Sequence, residues 1–588
     1  MERKDIELKY LWNLEDLFTS DDAWKTEYDK VYSEADFSAF QGTLGNKDSF
    51  IKFNKLSDSL VIRLEKLFVY AMMKSDGDAR SSEYSKLLSM AQQLDVKIEA
   101  ETAFSVPELL SLDESILKGY IADPDLKPYD YQLKTLLKSK EHVLSKEMEE
   151  TLASVSEVTS SFREIFTKLD NADLPLAPFT YNGEEYPLTH GLYGQYMQSP
   201  DKGLRECAFK AYYKAYKSVL NTITSTYYGN VKKNVFLAKI RKYDSCLSQA
   251  LSNEDVDESV YHNLLNSVHN SLYLMHDYVK AKKEALKLDE MHMYDMYVPA
   301  VEDADIKLKY EDAYKFVIEG LAPLGKDYQS VLQRAFDERW IDVYETTGKR
   351  SGAYCCNAFA SHPYVLLNYT ETTHDVFTIA HEMGHAMHSY FSCKNQPFAK
   401  ASYKIFVAEV ASTVNEVLLH RHILKTATDK KLKKYILSYF LEMIRTTLFR
   451  QTQFAEFEYI AHDKVFKGEP LTKDLMDEVY LDLNKRYYGE YVISDEEISH
   501  EWARIPHFYS AFYVYKYATG IISALAIADR ILTEGEPAVK DYFAFLSSGS
   551  SDSPVELLKI AGVDLSKTDA FDKAMNMFKS YLEDFKSI

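Results

Sequence analysis

The sequence predicts a mainly α-helical protein that contains one small β region. Glycine and proline are both scarce, at 20 and 15 of 588 residues, which favours long helices over a turn-rich β architecture. Over long stretches, the apolar residues recur at the three- to four-residue spacing of one helix face. Apolar residues make up 46% of the chain and charged residues 27%, so the composition is that of a globular protein with several packed layers.

The first region of the chain, residues 1–115, is predicted to be helical. A side chain at every third or fourth position falls on the same face of a helix, so apolar residues at this spacing form one stripe. Such a stripe is present at Leu56, Leu60, Leu64 and Leu67. We therefore expect these leucines to face a common core.

The second region, residues 116–195, is predicted to contain one or two long helices followed by a hairpin. The stretch 129–169 is charged and has no glycine or proline. Three prolines then occur within residues 171–191, where Asn182-Gly183 separates two short aromatic segments. An Asn-Gly pair in this setting is a strong signal for a two-residue hairpin turn. We place a domain boundary near this turn, so that residues 196–588 form the third and largest region.

A short β region is predicted within residues 340–369. Ala353–Phe359 and Tyr364–Tyr369 are rich in aromatic or β-branched residues and are bounded by glycine or proline. Thr372 and Asp375 then have the spacing of a capping box, in which two side chains satisfy the first backbone groups of a helix. The sequence therefore predicts a helix that begins near Thr372, after a pair of short strands.

The predicted helix carries a pattern typical of a zinc site, His381-Glu-Met-Gly-His385. Two histidines four positions apart project from one helix face, so both imidazoles can reach a single tetrahedral metal ion. Glu382 lies beside the first histidine, where it can accept a proton from a water molecule at the metal. These three residues are therefore candidates for two zinc ligands and a general base.

The third ligand has two candidate sources. His388 lies seven positions after His381, about 10.5 Å further along the helix axis, which suits a packing or supporting residue better than a ligand. The metzincin pattern needs a third histidine at the position of Phe391 and is therefore excluded. Glu409 lies among small and apolar neighbours, where a charge needs a partner. Glu416 follows it on the same helix face, so one carboxylate can bind the metal while the other orients an imidazole.

Longer segments around these residues carry a family resemblance. Phe377–Tyr390 and Phe406–Glu416 closely resemble the oligoendopeptidase F family of thimet-type zinc metallopeptidases. The resemblance also includes Tyr10–Phe18, Arg450–Glu458 and Arg504–Tyr509. It therefore covers most of the chain.

The resemblance implies both a fold and a set of roles. The implied fold is a mainly α ellipsoid in which helical walls enclose a deep central substrate channel, with a small β-sheet beside the zinc helix. The implied ligands of one Zn²⁺ per chain are His381, His385 and Glu409. Glu382 is implied as the general base, and Glu416 is implied to support the ligands.

An aromatic segment near the carboxyl terminus supplies further candidates for catalysis. Residues 507–517 contain one imidazole and four phenols. The related enzymes place a histidine and tyrosines from an equivalent segment in the active site, where such donors stabilise an oxyanion. By this resemblance we predict catalytic roles for His507, Tyr513 and Tyr515. An aromatic core helix is the alternative interpretation of the same segment.

The first of the two short strands is a candidate for binding the substrate backbone. In the family, a strand just ahead of the zinc helix pairs with the peptide, and an exposed strand edge gives such affinity without depending on side chains. The resemblance assigns this role to Ala353, Tyr354 and Cys355. An ordinary structural strand is the alternative.

Charge and composition exclude several partners. The formal net charge of −21 argues against nucleic acid, which needs clustered basic residues, and leaves room for a bias toward basic or neutral peptides. The first residues contain no apolar stretch of signal-peptide length, and no apolar run reaches the length of about 18 residues that a membrane span needs. Five cysteines without zinc-finger spacing fit a reducing compartment. We expect a cytoplasmic protein with no membrane, nucleic-acid or obligate protein partner.

These observations predict a zinc-dependent endopeptidase that hydrolyses internal bonds of short oligopeptides with a metal-activated water. One alternative is an exopeptidase, of the carboxypeptidase or dipeptidyl type, on the same zinc core. The other is a non-catalytic peptide-binding protein that zinc stabilises. The intact Glu382 argues against the second alternative, and structural zinc sites usually have four protein ligands.

Overall fold

Helices form most of the computed structural model, which describes residues 1–301 and 307–588. The mainly α class predicted from the sequence is therefore confirmed. In chain order the α-helices are α1 (Asp21–Glu34), α2 (Lys47–Gly77), α3 (Ser82–Thr102), α4 (Ser105–Ser111), α5 (Glu114–Ala122), α6 (Asp130–Ser139), α7 (Lys146–Lys168), α8 (His190–Met197), α9 (Lys202–Ile240), α10 (Cys246–Glu254), α11 (Glu258–Asn270), α12 (Leu272–Ala285), α13 (Tyr310–Gly320), α14 (Gly325–Asp337), α15 (Thr373–Asn395), α16 (Phe398–Ala401), α17 (Ile405–Thr426), α18 (Lys430–Ile444), α19 (Arg450–Phe466), α20 (Lys473–Tyr488), α21 (Tyr515–Glu534), α22 (Glu536–Leu546), α23 (Pro554–Ile560) and α24 (Asp569–Ser587).

A two-stranded hairpin occurs where the Asn-Gly pair predicted it. Strand β1 (Phe179–Tyr181) pairs antiparallel with β2 (Glu184–Tyr186). Between them, Asn182 and Gly183 have φ values of 50° and 81°, the left-handed conformation that a type I′ turn requires at both central positions. Asn and Gly reach this conformation at the least cost, which is why this pair selects the turn.

A second, three-stranded sheet lies ahead of helix α15. Its strands β3 (Ile341–Asp342), β4 (Tyr354–Cys356) and β5 (Tyr364–Leu366) are arranged in the order β3-β5-β4. The central strand β5 pairs parallel with β3 and antiparallel with β4, so β4 is an edge strand. Because β4 and β5 both pack on α15, the small sheet expected beside that helix is confirmed.

The described residues fall into two compact units, each built from segments that are far apart in the sequence. The first unit consists of Met1–Glu141, Asp305–His422 and Ile527–Val563. The second consists of His142–Ala304, Ile423–Ala526 and Asp564–Ile588. The division into residues 1–115, 116–195 and 196–588 stays a prediction, as do the ellipsoidal shape and the substrate channel.

The first unit has a continuous apolar core that joins its amino-terminal helices to its sheet. The leucine stripe of α2 faces this core as expected: Leu60, Leu64 and Leu67 are buried, and Leu56 is partly buried against it. Trp24 of α1 packs against the same helix and donates its indole N–H to the Leu67 carbonyl at 2.8 Å. Tyr364 and Leu366 of β5 belong to this core as well, so the helices brace the sheet that lies beside α15.

The second unit is organised around α9, the longest helix. Helices α7, α8 and α19 and the hairpin strand β1 all pack against α9. The unit also buries charge, since the Glu501 carboxylate accepts hydrogen bonds from Arg450 at 2.5 Å and from Arg504 at 2.8 Å. A buried carboxylate is tolerated only when such donors compensate its lost hydration.

A membrane span needs a helix that is both long and apolar. Across residues 1–301 and 307–588, each helix falls short of the combined length and apolar character that a bilayer span requires.

Candidate metal centre

Helix α15 begins with a reciprocal cap that fixes its start. The backbone N–H of Asp375 donates to Thr372 Oγ1 at 3.2 Å, and the backbone N–H of Thr372 donates to Asp375 Oδ2 at 3.0 Å. The predicted capping box is therefore confirmed. Each bond satisfies a backbone donor that the first helical turn leaves without a partner, which secures the helix that carries His381 and His385.

Helix α17 crosses α15 at a glycine. A methyl group added to Gly384 would lie 2.4 Å from Ser412 Cα and 2.7 Å from the Ala411 carbonyl oxygen. These are backbone atoms, so no rotamer change can make room for a side chain. Gly384 therefore permits the close helix contact that brings the two glutamates of α17 to the histidines of α15. A glycine in a helix interior is a signal for such a contact, and sequence reasoning did not use it.

A buried asparagine sets the register between the same two helices. Asn415 Nδ2 donates to the Ala380 carbonyl on α15 at 3.0 Å. Its Oδ1 accepts a hydrogen bond of 2.9 Å from the hydroxyl of Tyr328 on α14. Asn415 precedes Glu416 and Ala380 precedes His381, so this brace lies one residue away from the functional side chains. The sequence offers one hint, a polar residue next to Val414 on an apolar helix face.

Three side chains form a triangle of potential ligand atoms. His381 Nε2 and His385 Nε2 are 3.2 Å apart, and Glu409 Oε2 lies 3.4 Å from the first and 3.5 Å from the second. Atoms that are each about 2.0–2.1 Å from a tetrahedral zinc ion lie about 3.3 Å from one another. The residues present therefore fit zinc in both donor type and spacing.

The triangle stays accessible on one side. Within residues 1–301 and 307–588 it is the one group of three or more His, Cys, Asp or Glu side chains with ligand atoms this close together. The Glu409 side chain retains 40% of its exposure and His381 retains 28%. Three ligands with an open side are typical of catalytic zinc sites, whereas structural sites are closed by four.

Supporting hydrogen bonds orient two of the three candidate ligands. His381 Nδ1 lies 2.6 Å from Glu416 Oε1, which directs Nε2 of the same ring toward the triangle. The Ser412 hydroxyl donates to Glu409 Oε2 at 3.2 Å. Partners of this kind fix the ring orientation and the carboxylate position that a metal ion would meet.

The electrostatics of the triangle favour a positive charge. Burial lowers the pKa of His381, but hydrogen bonds with Glu409 and Glu416 outweigh burial and hold that pKa well above its ordinary value. Burial raises the pKa of Glu409, whereas His381 and His385 lower it by more, so the net pKa is well below the usual range. A divalent cation would satisfy the same demand while the imidazoles stay neutral.

Glu382 lies in the same turn but outside the triangle. Its side chain is buried, at 7% exposure. Burial raises the pKa of its carboxyl, and the neighbouring His381 and His385 partly offset that rise. A carboxylate with a raised pKa is a better proton acceptor near neutral pH than an exposed one.

His388 packs behind the ligands and is not part of the triangle. Its ring stacks on Tyr403 with the centroids 3.8 Å apart and the planes within 3°. Burial lowers its pKa to about 3, so the imidazole is neutral. The packing partner Tyr403 was not predicted from the sequence, and it also bonds to Ser389 at 3.0 Å between hydroxyl oxygens.

The predicted substrate strand is shorter than expected and lies at the sheet edge. Regular pairing covers only Tyr354–Cys356, so Ala353 and residues 357–359 of the predicted strand lie outside the ladder. The Tyr354 hydroxyl donates to Asp76 of α2 at 2.9 Å. Burial, together with Cys356 and Glu382, raises the pKa of the Cys355 thiol. The strand packs on α15, the helix that carries Glu382. A substrate-binding role for these residues stays a prediction.

His507, Tyr513 and Tyr515 belong to the second unit. His507 is exposed and stacks on Tyr513 with the ring centroids 6.0 Å apart, and Tyr517 packs edge-on against both rings. Burial, with Arg163 and Arg450 nearby, lowers the pKa of His507. Tyr515, by contrast, is 1% exposed. Catalytic roles for these three residues stay predictions.

Two family models match the chain. The model described as Peptidase family M3 matches residues 195–577, and the one described as Oligopeptidase F matches residues 108–175. The first match alone covers more than half of the chain and includes the metal centre. The protein is therefore a peptidase.

The chain is similar to known peptidases over its whole length. Oligopeptidase PepF of Bacillus subtilis is 42% identical, over 100% of this chain and 88% of that protein. The crystal structure of oligoendopeptidase-F from Enterococcus faecium has a TM-score of 0.72 and 34% identity, over 96% of this chain and 98% of that one. A Chlamydophila abortus crystal structure has a TM-score of 0.95 and 37% identity, over 100% and 99% of the two chains. The chain belongs to peptidase family M3 and, within that family, to the oligoendopeptidase F group that its motifs predicted.

Proposed function

We propose that this protein is a zinc-dependent endopeptidase that hydrolyses internal bonds of oligopeptides. The observation that carries the proposal is the triangle of His381, His385 and Glu409, with ligand atoms 3.2–3.5 Å apart, beside the buried Glu382. The restriction to oligopeptides is supported by the relatives, one of which is named an oligopeptidase and another an oligoendopeptidase.

The triangle would hold one zinc ion per chain. Two imidazoles and one carboxylate suit zinc better than the hard cations that prefer all-oxygen sites. When bound, zinc supplies a Lewis acid that polarises a peptide carbonyl and lowers the pKa of water from 15.7 to about 7. Glu416 keeps the His381 ring in the tautomer that leaves Nε2 free to coordinate.

Glu382 would move the proton in the reaction. Its carboxylate accepts the proton from the attacking water and then delivers it to the leaving amine nitrogen. Its burial supports this assignment, because a desolvated carboxylate is more basic than one in bulk water. The same burial keeps other water molecules from competing for the proton.

By the family resemblance, we assign stabilisation of the oxyanion to His507, Tyr513 and Tyr515. His507 and Tyr513 are accessible and are neighbours, and each fixed donor contributes about 3 kcal/mol to transition-state stabilisation. Tyr515 completes the predicted set, although its burial makes it the least accessible of the three.

Strand β4 would align the peptide. As an edge strand it has backbone groups that face away from β5, and these can pair with an extended substrate. Main-chain pairing tolerates many side chains, which fits an enzyme that degrades varied peptides.

Peptides with chemically blocked ends distinguish the endopeptidase from an exopeptidase. We expect a quenched fluorescent peptide that is acetylated and amidated to be cleaved internally, and removal of zinc by a chelator to stop the cleavage. The same peptide with free ends is the control, and mass spectrometry of the fragments locates the cut. Cleavage that requires a free end, or that releases only terminal residues, would overturn the endopeptidase assignment.

A folded substrate tests the restriction to oligopeptides. The cleaved sequence is displayed on a compact, stable protein and compared with the free peptide at equal concentration. We expect the free peptide to be cleaved and the displayed copy to survive. Equal cleavage of both would contradict the restriction.

A further inference from the structure

A cavity of about 470 Å³ opens beside helix α15, entirely within the first unit. One wall is formed by Ser389 and Cys393 of α15 together with Tyr403. The facing wall includes Asp58 and Glu65 of α2. The volume is in the range of cavities that bind small molecules or substrate side chains.

The cavity lies next to the metal centre along the helix. Ser389 follows His385 by one helical turn, a distance of about 6 Å along the axis. Tyr403, which closes the cavity beside Ser389, stacks on His388 on the same helix. A peptide whose scissile bond lies at the metal centre therefore has a neighbouring residue within reach of this cavity.

Strand β4 leads from the metal centre to the cavity. The strand packs on α15, the helix that carries the metal centre. Asn357 and Phe359, which follow the strand, line the cavity. Successive side chains of an extended peptide point to opposite sides, so a substrate paired with this edge directs alternate side chains toward one wall.

Two acidic side chains, Asp58 and Glu65, line the cavity. Among the residues that the structure describes, the lining contains no Lys, Arg or His. The Tyr129 hydroxyl donates to Asp58 Oδ2 at 2.6 Å, and the Phe359 N–H donates to Glu65 Oε2 at 2.9 Å. In the part of the chain that the structure describes, the second oxygen of each carboxylate has no such donor. Each carboxylate can therefore accept one more charged hydrogen bond.

Burial removes part of the hydration of these two carboxylates, so a bound cation would stabilise them. Burial raises the pKa of Asp58 and of Glu65, and the single hydrogen bond to each only partly offsets this rise. An ammonium or guanidinium group in the cavity would compensate the lost hydration directly.

We propose that this cavity is a subsite for a basic side chain, Lys or Arg, of the substrate peptide. The inference rests on the proposed peptidase function and gives it a substrate preference. A free amino terminus has the same ammonium chemistry, so it is the one other source of the cation. Such a subsite would account for a preference for basic peptides, which the net charge of −21 allows.

A lysine scan tests the subsite. Each quenched peptide is acetylated and carries one lysine at a successive position around the cleaved bond, and its matched partner carries norleucine there. We expect lysine to raise kcat/KM by about tenfold at one position, because a charged hydrogen bond to Asp58 or Glu65 stabilises the bound peptide; tenfold corresponds to about 1.4 kcal/mol. A norleucine peptide with a free amino terminus tests whether the cavity binds the terminal ammonium group instead of a lysine side chain.

The double variant Asp58→Asn, Glu65→Gln removes both charges. Each amide oxygen can still accept from Tyr129 or Phe359, so the wall of the cavity keeps its hydrogen bonds. We expect the ratio of lysine to norleucine kcat/KM to fall to about one. The matched control is Asp29→Asn, Glu99→Gln, which removes two exposed acids that do not line the cavity and should keep the wild-type ratio.

A binding measurement keeps the test independent of turnover. Fluorescence anisotropy of the same peptides, made with the fluorophore and without the quencher, reports affinity on the Glu382→Gln variant, in which cleavage is slow. Equal rates and equal affinities for the lysine and norleucine peptides would overturn the subsite, even if both are cleaved. A preference for the free amino terminus alone would also overturn the side-chain assignment. Binding selectivity without any cleavage would uphold the cavity and refute the peptidase function.

Discussion

The His381 ring lies between two carboxylates that act on opposite nitrogens. Glu416 contacts Nδ1 at 2.6 Å, and Glu409 lies 3.4 Å from Nε2. The first contact fixes the tautomer and the ring plane, while the second places a fellow ligand at metal-binding distance. Sequence reasoning identified both glutamates as candidates because they lie seven positions apart on one helix face. Their separate roles needed the resemblance, because spacing alone does not say which one reaches the metal.

Replacement of Glu416 by glutamine tests the support of His381. The amide can still accept from Nδ1, but it has no charge to strengthen that bond, so we expect zinc affinity to fall about 10- to 100-fold. Competition with a chromophoric chelator measures the affinity.

Glu319→Gln is the control for Glu416→Gln. It removes an exposed carboxylate from α13 and should leave the zinc affinity unchanged. Wild-type zinc affinity in Glu416→Gln would show that the 2.6 Å contact does not support the ligand.

At the scale of elements, local sequence signals correctly predicted the start of α15 and the turn between β1 and β2. The contact between α15 and α17 was not predicted. The capping box at Thr372 and the turn at Asn182-Gly183 depend on residues within four positions of one another, so the sequence contains all the information needed. The crossing of α15 and α17 at Gly384 depends on backbone atoms of Ala411 and Ser412. No local pattern specifies such a partner.

Replacement of Gly384 by alanine tests the helix crossing. The added methyl group has no space against Ser412 Cα, so the helices must separate. We expect the free energy of unfolding to fall by about 1–3 kcal/mol. Zinc affinity should fall as well, because Glu409 would move away from the histidines. Urea denaturation and chelator competition measure the two effects.

Gly119→Ala in α5 is the matched control, because it makes the same glycine-to-alanine change in a helix where the added methyl group is not crowded. A methyl group there meets no atom within 4 Å, so the higher helix propensity of alanine should stabilise the protein by up to about 1 kcal/mol. If Gly384→Ala behaves like Gly119→Ala, the close crossing does not position the ligands.

At the scale of the whole molecule, the sequence predicted the class of the protein but not the assembly of its units. Helical periodicity and the scarcity of glycine and proline were sufficient for the mainly α class. Each unit, however, combines three segments that segments of the other unit separate in the sequence. Such a grouping depends on contacts between distant residues, which periodicity does not encode. The metal centre could be predicted nonetheless, because the histidine motif, Glu409 and Glu416 all lie within 36 consecutive positions.

In the proposed reaction, Glu382 activates a water molecule for a metal ion that other residues hold. The most direct test is the Glu382→Gln variant, measured for zinc content and for turnover of the doubly blocked peptide. Glu382 lies outside the ligand triangle, so we expect one zinc per chain to be retained. Turnover should fall about 10²- to 10⁴-fold, the usual contribution of a general base. Turnover at the wild-type rate with zinc retained would contradict the account.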